Sequence, residues 1–79
     1  MVTVHRAHGL RFVIYVDDHE PAHVLVIGDG EAKIRLVGAT GDVELIWSVG
    51  LSRSDLRRAI REVAKHRDTL MGKWNEIHG

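Results

Sequence analysis

His23-Val24-Leu25-Val26-Ile27-Gly28-Asp29-Gly30-Glu31-Ala32-Lys33-Ile34-Arg35-Leu36-Val37 sets the architecture of this 79-residue chain. Its second half alternates without a break, Ala32, Ile34 and Leu36 against Glu31, Lys33 and Arg35. That is the pattern of a strand with one face in a core and the other toward water. The first half is rich in β-branched residues, and Gly28-Asp29-Gly30 turns the chain back on itself. Register hangs on that turn. A two-residue Asp29-Gly30 turn pairs Ile27 with Ala32 and puts His23 on the core face. A three-residue loop, with Gly30 left-handed, pairs Ile27 with Glu31, Leu25 with Lys33 and His23 with Arg35. Only the second aligns Val24 and Val26 with Ala32, Ile34 and Leu36, and a one-residue slip would reverse every side chain. The three-residue loop is therefore expected. It predicts an outer face of His23, Leu25, Ile27, Glu31, Lys33 and Arg35, with Val13, Tyr15 and Ile46 nearby. Such a mixture is too apolar for a solvated face and suits a contact surface.

Further strands flank this hairpin. Val2 to His5 alternates, Ala7-His8-Gly9 turns, and Leu10 to Val16 places Phe12, Ile14 and Val16 on one side and Arg11, Val13 and Tyr15 on the other. Gly38-Ala39-Thr40-Gly41 forms a second hairpin loop, and Asp42 to Val49 alternates again, with Val43, Leu45, Trp47 and Val49 expected to face in. Then the period changes. Ser52 is a good N-cap with Asp55 three residues on, and Leu56, Ile60, Val63, Arg67, Leu70, Trp74 and Ile77 make one helical stripe. The expected fold is α+β: a four- to five-stranded antiparallel meander over residues 2–49, with one long helix, 53–77, packed on one face of a single domain. Such a helix is nearly 40 Å long at about 1.5 Å per residue, whereas short strands span about 20 Å. Either it breaks near Arg67-Asp68-Thr69 or Gly72, or its far end, carrying Trp74 and Ile77, meets a second chain.

Composition narrows the function classes. Eleven basic residues balance eleven acidic ones, which argues against a chain built mainly to grip nucleic acid. The acids concentrate in residues 1–50 and the bases in 51–79, so the halves complement each other. With no cysteine, neither a disulfide framework nor a thiolate metal site can form. Apolar runs are too short for a membrane span, and a cytoplasmic protein is expected.

Chemistry concentrates in Asp17-Asp18-His19-Glu20-Pro21-Ala22-His23, which packs acids and imidazoles around the only proline at the mouth of a strand. His19 and His23 are four apart, yet Pro21 bars the helical turn that would set them on one face, so no metal or cofactor is expected. An acid–base site is the sharper alternative: His19 or His23 with Glu20, Lys33 and Arg35 could cleave RNA without a metal, since RNA supplies its own 2′-hydroxyl. Arg53, Arg57, Arg61 and Lys65 form a basic helical stripe that would suit RNA or an acidic partner, or would pair with Glu62 and the acidic sheet half. Leu25, Ile27, Tyr15 and Trp74 are the expected partner contacts.

The opening Met-x-Thr-Val, the Asp18-His19-x-Pro21-x-His23-Val24 core, Gly28-Asp29-Gly30-Glu31-Ala32 and His66-Arg67-x-x-Leu70-x-x-x-Trp74 resemble domain-of-unknown-function family 4160 across essentially the whole chain. Members of that family often carry a second proline and a further histidine where this chain has Ala22 and Leu25. The resemblance implies a small bacterial protein suspected of belonging to a toxin–antitoxin pair. Together these features point to a protein-interaction domain, as a homodimer or with a partner such as a cognate antitoxin. A small RNA-cleaving toxin using His19 or His23 is the alternative.

Overall fold

The computed structural model describes residues 1–79. Strands β1 (Val2–Ala7), β2 (Leu10–Ile14), β3 (His23–Ile27), β4 (Glu31–Arg35) and β5 (Glu44–Val49) form one antiparallel sheet in chain order. Helices α1 (Arg53–Lys65) and α2 (Arg67–His78) then cover one face, giving an α+β fold.

The β3–β4 register is the one the hydrophobic pattern demands: Val24 faces Ile34, Val26 faces Ala32, and His23 faces Arg35. Phe12 extends the inner row from Val26 onto β2, and all five of these apolar residues are sealed from water. The turn reaches that register by a different route from the one expected. Gly30 is not left-handed; the positive-φ glycines are Gly9, Gly41, Gly50 and Gly79. What requires glycine at position 30 is a close approach. A Cβ there would lie 2.6 Å from the Gly50 Cα and would strike the Val49 carbonyl oxygen and the Gly50 carbonyl carbon.

Two bulges break the simple alternation. On β5 the register shifts between Lys33 and Ile34, so Leu45 opposes Ile34 while Trp47 opposes Lys33. Trp47 therefore lies on the outer face, and Val49 opposes Glu31 beside it. Strict period-2 parity had placed both inside, and one extra residue at the bulge overturns it. On β1 the shift falls between Thr3 and His5, so His5, in place of Val4, opposes the core residue Phe12. That bulge turns the His5 ring toward the helical layer.

The single long helix is replaced by two. Five strands at about 4.8 Å spacing make a sheet about 19 Å wide, and the 13 residues of α1 reach about 20 Å. Beginning over β4 and β5, α1 crosses to β1, where Glu62 meets His5. A straight continuation would overhang the sheet; His66, at φ −108° and ψ 20°, ends the first helix and lets α2 turn back over the core. Arg67 anchors the turn by donating to the Gly41 carbonyl at 2.6 Å. The break falls beside Arg67, the first of the two alternatives for so long a helix, and Trp74 and Ile77 pack on this chain's own core instead of meeting a second chain. Ser52 caps α1 by accepting from the Asp55 amide at 3.1 Å. Ser52→Ala should cost about 1 kcal/mol in a urea unfolding curve.

Candidate functional site

The loop from Asp17 to Ala22 is organised by its own side chains. Asp18 Oδ2 accepts from the Tyr15 amide at 3.2 Å and lies 3.1 Å from His23 Nε2. The other ring nitrogen of His23 donates to the Pro21 carbonyl at 2.9 Å. Trp74 of α2 closes over this loop: its indole N–H reaches Glu20 Oε1 at 3.0 Å, and its ring lies 5.1 Å from the His23 ring and 3.9 Å from that of His78.

Here the structure corrects the outward-facing His23. The backbone register holds, but at the strand mouth the ring is only 6 % exposed and sits against Trp74. Its Nδ1 is taken up by the Pro21 carbonyl and its Nε2 is closed in between Asp18 and Trp74, so the ring presents little to a substrate. His19 and Glu20 are exposed, with Glu20 committed to Trp74. Arg35 pairs with Glu44 at 3.4 Å, and Lys33 stands beside Trp47. His23 and Glu20 are engaged with Trp74, so this part of the motif docks α2 onto the sheet.

Of the expected partner contacts, Trp74 is 1 % exposed and belongs to the core. Leu25, Ile27 and Tyr15 do lie on the outer face or at its rim, in register with Val13, Lys33, Arg11 and Glu31. Val13 is fully buried yet stands apart from the main core cluster, because this face makes a small apolar cover of its own. Arg53, Arg57, Arg61 and Lys65 are exposed on α1 and form no ion pair. Glu62, the expected partner of that stripe, points to the other side of the helix.

On that other side lies a group that spacing did not single out. Glu62 Oε1 accepts from His5 Nε2 at 2.8 Å, His66 Nε2 lies 3.1 Å from the same oxygen, and His8 Nε2 lies 3.5 Å from Oε2. The His5 hydrogen bond holds the Glu62 carboxyl below its ordinary pKa; partial burial opposes this, and the charges of His5, His66 and His8 add to it. Ligand atoms of His5, Glu62 and His66 all lie within 4.8 Å of one another, the one place in the chain where three such donors meet. One signal for half of it was present: Glu62-x-x-x-His66 is a helical i, i+4 pair. His5 was invisible, because an unbroken β1 would have pointed it outward.

Comparison with known families places the DUF4160 model, described as a domain of unknown function, on residues 9–75. The chain belongs to that family. The matched span holds the whole Asp18-to-His23 loop and Trp74, so the family motif coincides with the clamp between loop and α2. His5 and His8 precede it. No curated protein and no solved structure matches the chain. No helix is long and apolar enough to cross a membrane.

Proposed function

We propose that this member of the DUF4160 family is a small protein-interaction domain whose contact surface is the outer sheet face and the β5 edge. Its first occupant is a second copy of the chain. The observation that carries this reading is the composition of β5. It is an edge strand with an open hydrogen-bonding side, and Ile46, Trp47 and Val49 are 39 %, 41 % and 70 % exposed. Edge strands are commonly blunted by a charge, a proline or a bulge; between Leu45 and Val49 there is no charge and no proline, and the bulge is confined to Ile46, leaving Trp47 to Val49 regular.

Two further features favour self-pairing. The chain's net charge is zero, so copies do not repel one another. The only charge on β5 is Glu44 at one end, and antiparallel pairing about a two-fold axis sets the two Glu44 side chains at opposite ends. A toxin–antitoxin-type module, which the family resemblance implies, would use such a paired face to hold its cognate protein. The RNA-cleaving alternative draws no comparable support, since His23 is closed off and Glu20 is engaged with Trp74.

Sedimentation velocity tests the proposal. The purified chain should run at twice 8.9 kDa at micromolar concentration. Ile46→Lys, which places a blocking charge on the edge, should weaken the dimer about 100-fold, or about 2.8 kcal/mol. A wild-type monomer at about 100 μM, or a dimer indifferent to Ile46→Lys, would overturn it.

A further inference from the structure

The His5–His8–Glu62–His66 cluster is unrelated to the β5 edge and lies on the helical side of the sheet. We infer that it is a binding site for one borderline divalent cation, zinc above all, held by His5, Glu62 and His66 and completed by the neighbouring His8.

Donor chemistry comes first. Imidazole nitrogen and carboxylate oxygen together are the ligands that zinc takes in proteins lacking thiolates. Distance comes next. Bonds of about 2.0–2.1 Å to a tetrahedral ion set neighbouring ligand atoms about 3.4 Å apart. The His5 and His66 nitrogens lie 2.8 and 3.1 Å from Glu62 Oε1, close to that spacing, and small side-chain rotations would admit an ion; His8, 3.5 Å from Oε2, stands at the edge of the group. The His5 and His66 rings already lie with centroids 4.5 Å apart and tilted by 43°, converging on the same carboxylate oxygen.

Placement is the third argument. The four donors come from β1, the β1–β2 turn and the last turn of α1, and local backbone irregularities aim three of them. The β1 bulge brings His5 to the helical side. His8 is the only non-glycine residue with positive φ, at 56°, a conformation that costs about 1–2 kcal/mol and here holds its ring beside Glu62. His66 is the residue at which α1 ends and α2 begins. His5, Glu62 and His66 supply three ligands, and a turn of the His8 ring toward them would complete a closed, structural site that pins the first hairpin to the α1–α2 hinge.

Zinc titration of the metal-stripped full chain, in competition with a chromophoric chelator, tests this. One ion per chain should bind with a dissociation constant of about 1 μM or tighter. A 100-fold excess over that constant should raise the thermal midpoint by about 10 °C. Cobalt in place of zinc should give the intense visible bands of a tetrahedral site. His5→Ala and His66→Ala should each weaken binding at least about 10-fold and abolish those bands. His8→Asn keeps a residue that tolerates the left-handed turn while removing one ligand, so it tests the site even if the other variants unfold. It should weaken zinc and shift the cobalt spectrum. Absence of stoichiometric binding below about 100 μM, an octahedral cobalt spectrum, or an affinity that His8→Asn leaves unmoved would overturn the assignment.

Discussion

Trp74→Ala should strip the chain of more than a third of its stability at 25 °C. Removing a fully buried tryptophan costs about 3–5 kcal/mol, and a chain of 79 residues has only about 4–12 kcal/mol of stability to lose. The ring is 1 % exposed, packs on His23 and His78, and donates its N–H to Glu20. Its loss therefore empties the seam between α2 and the β2–β3 loop, removes the donor that Glu20 meets, and leaves His23 facing a void. Urea unfolding followed by far-UV circular dichroism should show the midpoint falling by more than a third, with Trp47 remaining as the fluorescent reporter. Trp74→Phe keeps most of the apolar area but lacks the indole N–H, and should cost about 1–2 kcal/mol. An interface anchor behaves differently. Were Trp74 a contact to another chain, Trp74→Ala would dissociate an assembly and leave the monomer's unfolding curve in place.

That contrast shows where the sequence was legible. The 31–36 alternation and the Gly28–Gly30 spacing fixed the β3–β4 register, and the change from period two to a three-and-four spacing after Ser52 located the helical segment. Local patterns carry such information because each reports a neighbour a few residues away. Trp74 looked like an interface residue because a straight helix had to overhang the sheet. The hinge at His66 removes the overhang; helix length against strand span already allowed a break beside Arg67, but no local pattern chose it over a second chain. The same limit hid the two bulges. A single extra residue on β5 moved Trp47 to the outer face, and one on β1 moved His5 to the inner one. Thus the candidate site at His19 and His23 rests on a run of acids and imidazoles contiguous in sequence, whereas the donors that do converge are separated by up to 61 positions, from His5 to His66.

Gly30→Ala should detach the end of β5, and the reason is spatial. Position 30 has ordinary φ, so alanine meets no conformational penalty of its own. Its Cβ would nevertheless lie 2.6 Å from the Gly50 Cα, well inside van der Waals contact, and the obstacle is backbone that no rotamer change can clear. The β3–β4 turn and the exit from β5 must move apart by about 1 Å, which weakens the Glu31–Val49 and Ala32–Ser48 pairings. Overpacking against a rigid neighbour costs about 1–3 kcal/mol, and the absence of any yielding side chain puts this case at the upper end. Hydrogen exchange should localise the damage: amides of Ser48 and Val49 lose protection, while those of Phe12 and Val26 in the sheet centre keep theirs. Because β5 is also the edge proposed to pair with a second copy, the substitution links fold to assembly. Gly30→Ala should weaken the dimer at concentrations where the monomer remains folded, although it adds no charge and lies outside the edge strand. A dimer of unchanged strength, with Ser48 and Val49 newly open to exchange, would mean that β5 is not where two copies meet.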